Sequence, residues 1–229
     1  MKIRKTPLII VNFKAYREAI GRKALILSKI AEKVAKEYGV SIAVAPQLTD
    51  IRLITERVDI PVLSQHIDPI EQGAFTGHVS PLAIKEAGAV GSLINHSERK
   101  LRLKEIKKCV EMARKYGLIS VCCAATFRRS REIAKFGPDF IAYEPPELIG
   151  TDIPVSMAKP EIVTKTVNMV KIISPRTLVL CGAGIKHGKD VKRALELGTA
   201  GVLVASGVVK ANNPEEVLAD FAKSILASR

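Results

Sequence analysis

The sequence contains no tryptophan, and its aromatic residues amount to 4%. Platforms on which bases could stack are therefore scarce, and no strand carries the aromatic pattern of an RNA-recognition surface. Cysteine is confined to Cys109, Cys122, Cys123 and Cys181. No CxxC pair occurs and no Cys/His group has zinc spacing, so the chain reads as neither a disulfide scaffold nor a zinc module. Buried, reduced thiols are the expectation, with the adjacent Cys122 and Cys123 on opposite faces of a strand. Long apolar runs are also missing: none approaches the roughly 18 residues that span a bilayer. The opening MKIRKTPLIIVNFKAY has the basic start of a signal peptide. Its apolar part is only LIIV, however, Asn12 and Lys14 follow at once, and no small-residue cleavage site comes after. It reads as a first strand, and the protein as cytoplasmic. Acidic residues are outnumbered, 23 against 36 Lys and Arg, leaving a net charge of +13. The excess is spread over the helical segments and interleaved with Glu. That is the pattern of a solvated basic surface that draws in anions rather than of a dedicated nucleic-acid site.

What is present is a large apolar complement. Hydrophobic residues make up 47% of 229, and charged residues 26%, which suits one sizeable core and excludes a disordered chain. Low Asn, Gln and Trp beside high Lys and Glu is compatible with a thermophilic source. The apolar residues fall into short runs: LIIVNF (8–13), SIAVA (41–45), PVLSQ (61–65), AVGSLIN (89–95), LISVCCA (118–124), DFIAYE (139–144), TLVLCG (177–182) and AGVLVAS (200–206). Each is almost wholly apolar rather than alternating, as in strands of a parallel sheet covered on both faces. Helical patterns lie between them. REAIGRKALILSKIAEKVAKEYG stops at Gly39 and ERKLRLKEIKKCVEMARKYG at Gly117. PEIVTKTVNMVKII opens with Pro160, HGKDVKRALELG ends at Gly198, and Asn213-Pro214 introduces the last helix. The pieces after strands 2, 3 and 5 are shorter. Eight strand–helix units without a linker predict a single-domain α/β fold over residues 1–229, a closed (β/α)8 barrel. An open doubly wound sheet would place a glycine-rich turn after strand 1, where NFKAY stands instead.

In such a barrel the chemistry lies at the C-terminal ends of the strands. Those ends carry Asn12-Phe13-Lys14, Gln65-His66, Asn95-His96-Ser97-Glu98-Arg99, Glu144-Pro145-Pro146, and the glycine-rich turns holding Gly182, Gly184 and Gly207 with Ala205 and Ser206. The glycine turns leave backbone N–H groups uncovered for a phosphate. Glu144, desolvated, is suited to take a proton from a carbon beside a carbonyl. His96 is expected to begin the fourth helix, whose dipole keeps its ring neutral so that it donates a hydrogen bond to that carbonyl. Lys14 supplies positive charge and Asn12 a hydrogen bond. The stretch PPELIGTDIPVS after Glu144 has stiff prolines at one end and Gly150-Thr151 in its middle, as a lid that excludes water would.

Together VNFKAY, GAFTGHVSP, INHSERK, AYEPPELIGT, CGAGI and GVLVASGVVKA resemble the triosephosphate isomerase family, in order and over essentially the whole chain. The resemblance implies a TIM barrel that interconverts dihydroxyacetone phosphate and D-glyceraldehyde 3-phosphate in glycolysis and gluconeogenesis, without cofactor or metal. It implies that Asn12, Phe13 and Lys14 bind substrate, that His96 is the electrophile and Glu144 the base, and that Ile149, Gly150, Gly184, Ala205 and Ser206 hold the phosphate. Glu98 would be a supporting carboxylate. Thr76 would tip a loop that enters a neighbouring subunit's site, making a dimer the minimum assembly. Glu147 after a second proline, Ala205-Ser206 in place of a glycine pair, and a shortened chain around helices 4 to 6 are similar to the archaeal branch, which implies a homotetramer. Another phosphate-binding barrel, of the metal-using pentose-phosphate epimerase kind, and a basic nucleic-acid-binding barrel are the alternatives.

Overall fold

The computed structural model describes residues 7–145 and 155–228. Each of the eight apolar runs contains a strand: β1 Leu8–Asn12, β2 Ser41–Ala45, β3 Leu63–Ser64, β4 Gly91–Ile94, β5 Ile119–Ala124, β6 Phe140–Tyr143, β7 Leu178–Cys181 and β8 Gly201–Val204. All neighbours pair in parallel, in the order β2-β1-β8-β7-β6-β5-β4-β3. The two ends of that order meet through a parallel bridge between Val44 and Val62, where the Val44 N–H donates to the Pro61 carbonyl at 3.0 Å. The sheet thus nearly closes on itself, which removes the unpaired edges an open sheet would expose. The (β/α)8 barrel is the observed fold.

The helices are α1 Arg22–Tyr38, α2 Ile51–Thr55, α3 Pro81–Glu86, α4 Leu103–Lys115, α5 Phe127–Ala134, α6 Val155–Ala158, α7 Pro160–Ile173, α8 Gly188–Glu196, α9 Ser206–Val209 and α10 Pro214–Leu226. Their boundaries follow local chemistry. Thr126 caps α5 by accepting from the Arg129 N–H at 3.1 Å, and Asn213 caps α10 by accepting from Glu216 at 3.3 Å. Gly39 closes α1 with φ +64°. Two expected helices start later than their patterns do. The first pattern breaks into a 3₁₀ turn, Arg17–Ala19, and α1, because Gly21 between them takes φ +60°. The fourth begins at Leu103, where the Glu105 carboxylate reaches back to the Arg102 N–H. Residues 97–102 are turn and extended chain instead.

Period two sorts the strand residues into two core layers. Leu8, Ile10, Leu63, Leu93, Val121, Cys123, Phe140, Ala142, Leu180 and Leu203 fill the barrel interior. Ile9, Val11, Ile42, Val44, Cys122, Ile141, Tyr143 and Val202 face outward, against helix residues such as Leu27, Ile106, Val170, Leu218 and Phe221. Cys122 and Cys123 do face opposite sides, and all four thiols are free and buried. Burial raises the pKa of each, to about 12 for Cys109 and Cys181. Among the described residues, no helix is long and apolar enough to cross a membrane.

Candidate active site

The same period-two rule that fills the barrel aims its last layer at the rim. Continuing inward from Ile10, Ala142, Leu180 and Leu203 brings up Asn12, Glu144, Gly182 and Ala205. With Lys14, His96, Gly184 and Ser206 they line one cleft of about 540 Å³ at the C-terminal ends of the strands.

Lys14 is held in an uncommon backbone conformation, φ +48°, a cost that surrounding contacts must offset. Three side chains do so. Asn12 Oδ1 accepts from the Lys14 N–H at 3.0 Å, and the amides of Gln47 and Gln65 donate to the Lys14 carbonyl at 2.5 and 2.9 Å. The Lys14 side chain, 11% exposed, ends in an ion pair with Glu98 at 2.8 Å. The ammonium is thereby fixed at the mouth of the cleft. Gln47 and Gln65 were not singled out as functional by the sequence. The signal available was their place as polar residues just after β2 and β3.

His96 follows Asn95, whose φ of +63° turns the chain after β4. The Asn95 amide donates to the Cys123 carbonyl at 2.8 Å and its oxygen accepts from the Leu101 N–H at 2.8 Å, so the turn is pinned at both ends. Because α4 starts at Leu103, its dipole does not reach His96, contrary to the sequence expectation. Burial chiefly lowers the pKa of His96, and Lys14 adds to this while Glu98 opposes it. The Glu98 backbone N–H lies 3.2 Å from Nδ1. An N–H donor there makes Nδ1 the acceptor and leaves the ring proton on Nε2. Nε2 lies 3.8 Å from Glu144 Oε1.

Glu144 is 4% exposed, and its Oε2 has no hydrogen-bond partner among the described residues. Desolvation raises its pKa to about 7, against smaller opposing effects of the Cys123 thiol, which hydrogen-bonds the carboxylate, and of Lys14. A carboxylate in that range is a competent base near neutral pH. Gly182 is required beside it, since a Cβ there would collide with Glu144 Cγ.

The opposite wall comes from two turns. Gly184 has φ +72°, a conformation natural to glycine. Ala205 precedes α9, and the first N–H groups of that helix, at Ser206 and Gly207, have no carbonyl four residues back to bond. A side chain at Gly207 would press on the Ile185 carbonyl at 2.7 Å, so the two turns touch. The result is a polar cup beside the carboxylate–imidazole pair.

A match to the triosephosphate isomerase family model covers residues 7–225. The chain belongs to that family. Triosephosphate isomerase of Methanocaldococcus jannaschii is 51% identical over 218 residues, covering 95% of this chain and all of the relative. That of Methanothermus fervidus is 52% identical over 215 residues, covering 94% and 97%. That of Methanobacterium bryantii is 50% identical over 224 residues, covering 98% and 99%. All three sources are archaea.

Not every site expectation falls in the cleft. Phe13 is fully buried in the layer between barrel and helices, because period two turns it away from the barrel axis. Its side chain packs in the core and Phe13 does not line the cleft. Thr76 sits on an exposed loop beside Phe75, away from this chain's own cleft. Ile149, Gly150 and most of the expected lid lie outside the described residues. Tyr16 and Lys186 line the cleft without having been anticipated. Among the described residues, no group of three or more His, Cys, Asp and Glu is arranged to hold a metal ion.

Proposed function

We propose that the chain interconverts dihydroxyacetone phosphate and D-glyceraldehyde 3-phosphate through an enediolate, with no cofactor, as a glycolytic and gluconeogenic enzyme. The observation that carries this reading is Glu144: a buried carboxylate with one unpartnered oxygen, a pKa near 7, and a neutral imidazole 3.8 Å away. The substrate phosphate rests in the cup formed by Gly184, Ala205 and Ser206. The carbonyl oxygen then faces His96 Nε2–H and Lys14, and Asn12 hydrogen-bonds the same end.

Glu144 removes a proton from the carbon next to the carbonyl. The electron pair moves into a carbon–carbon double bond and the carbonyl becomes an enolate oxygen. His96 donates to that oxygen and Lys14 stabilises its charge, a preorganised arrangement that is worth most out of water. Protons are exchanged between the two substrate oxygens through His96. The Glu144 carboxylic acid returns its proton to the neighbouring carbon, and the aldose has become the ketose. Glu98 supports the pair by holding the Lys14 ammonium and, through its N–H, the His96 ring.

We further infer a dimer at least, assembling to a tetramer. A cavity of about 850 Å³ adjoins the cleft and is lined in part by Asn12, Gln65, His66, His96 and Glu98. A loop of a second copy, carrying Thr76, suits it. The protein works in the cytoplasm and takes no nucleic acid.

The test is a coupled assay of glyceraldehyde 3-phosphate turnover, run in parallel in D₂O. Turnover with solvent deuterium carried into the product is expected. No turnover by a folded wild-type sample, or Glu144→Gln retaining activity within about tenfold of it, sinks the proposal, because a positioned base contributes at least about 10²-fold. Light scattering gives the assembly, and a monomer at full activity would remove the role of Thr76.

A further inference from the structure

The cleft has one wall to which neither the mechanism above nor the family resemblance gives a role. Tyr16 lines it, four residues beyond Asn12 on the loop leaving β1. Its backbone is fixed at both sides: its N–H donates to the Phe13 carbonyl at 3.4 Å, and its own carbonyl accepts from Ala19 at 2.9 Å. The phenol ring packs in part against the outer core. The Lys210 ammonium sits over its face, 4.3 Å from the ring centroid. Lys210 ends α9, the helix whose first residues, Ser206 and Gly207, line the same cleft. Lys210 thus ties Tyr16 to the helix that carries one wall of the cup. The Tyr16 hydroxyl has no hydrogen-bond partner among the described residues.

We propose that Tyr16 is a phosphate-binding side chain, its hydroxyl donating to an outer oxygen of the substrate phosphate, and that Lys210 is a positioning residue acting through it. The physical argument has three parts. A phenol with an unbonded hydroxyl on the wall of the cleft that holds the cup has a donor to offer a dianion, and a hydrogen bond to a charged group is worth more than a neutral one. A cation on the ring face holds the ring and withdraws charge from it, which makes the O–H a better donor. The cation also adds positive potential behind the ring, on the same cleft that Lys186 lines.

This inference rests on the proposed isomerase reading, and its test keeps the two apart. If wild type does not turn over glyceraldehyde 3-phosphate, the isomerase reading has failed and this one goes with it. If wild type is active, Tyr16→Phe decides. We expect KM for glyceraldehyde 3-phosphate and the inhibition constant of inorganic phosphate to rise together by about tenfold, equivalent to about 1.4 kcal/mol. kcat should fall less than threefold. The loss of kcat/KM should be smaller for glyceraldehyde, which has no phosphate to hold. Lys210→Gln, which removes the charge and leaves a polar, slightly shorter side chain, should move the same two constants by about two- to threefold and serves if Tyr16→Phe does not fold. KM and the phosphate constant both within 1.5-fold of wild type in the folded variants overturn the proposal. So does a loss as large with glyceraldehyde as with its phosphate, since that is the mark of a structural role.

Discussion

Strand β6 is flanked by two carboxylates that meet opposite fates. Asp139 precedes it on the N-terminal side of the barrel. Its Oδ2 accepts from the Ser120 N–H and from Ser120 Oγ, both at 2.8 Å, and its own N–H donates to Ser120 Oγ at 3.0 Å. Glu144 follows the strand at the other end, buried, with one oxygen unpartnered and its pKa raised. The same contrast runs across the molecule. On the N-terminal side, Thr177 donates to the Pro138 carbonyl at 2.6 Å and Thr199 to the Ala194 carbonyl at 2.8 Å. At the rim, Lys14 and Asn95 take positive φ and Lys14 is bound by borrowed amides. Asp139, Thr177 and Thr199 have their partners, and the rim residues Lys14 and Asn95 are pinned by theirs. Glu144 Oε2 is left without one among the described residues, and a substrate can supply what is missing.

The contrast is open to direct attack, and the largest effect is on turnover. Glu144→Gln should lower kcat by about 10³-fold or more, whereas Asp139→Asn should leave it within about twofold. Equal losses would erase the distinction between the two ends. Next comes stability. The Glu144 pKa is about 7 when folded, against an ordinary 4.5 for a solvated glutamate. The folded chain therefore holds more protons between those values, and stability falls as pH rises through that window. Glu144→Gln should unfold at higher urea than wild type at pH 8, by on the order of 3 kcal/mol, and lose that advantage at pH 4.5. A variant less stable than wild type at both pH values would show the carboxylate to be structural.

The pH profile of activity follows from the same group. kcat/KM should drop about tenfold per unit below pH 7 and level off above it, because the base must be ionised. His96, its pKa lowered, adds no second limb near neutrality. A flat profile from pH 5 to 8 would contradict the raised Glu144. Gly182→Ala should cost about tenfold in kcat by pushing Glu144 out of line, since small misplacements of a reacting group are expensive. Activity equal to wild type would mean the carboxylate has room the geometry denies it. The smallest effect is at the quiet end. Asp139→Ala should cost about 1–2 kcal/mol of stability, measured by thermal unfolding, with kcat preserved.

The fold was legible because its signal is local and repeated. Eight runs such as LIIVNF and TLVLCG, each bounded by a helix pattern with its own stop, leave few architectures. His96 and Glu144 were legible because a strand end is a position that the pattern itself marks. The start of the fourth helix was not. ERKLRLKEIKKC carries helical periodicity from its first residues, but the turn from Asn95 to Leu101, tied by two hydrogen bonds to β5 and its own chain, delays the helix to Leu103. The side-chain direction of Phe13 was not legible from its motif, because motif proximity says nothing of which way a side chain faces. Period two does, once Ile9 and Val11 are known to point outward.

What the sequence determined alone is therefore the list of parts and their order around the barrel: eight parallel strands, a base after the sixth, an imidazole after the fourth, and glycine turns after the seventh and eighth. Only the tertiary structure decided their state. Burial of Glu144, not its identity, raises its pKa. Desolvation, Lys14 and an N–H from Glu98, not a helix dipole, keep His96 neutral with its proton on Nε2. Lys14 holds a strained φ because Asn12, Gln47 and Gln65, at or just beyond the ends of three different strands, agree on it. Each of these depends on what lies within a few ångströms across the barrel. Such distances exist only after residues far apart in the chain have been brought together.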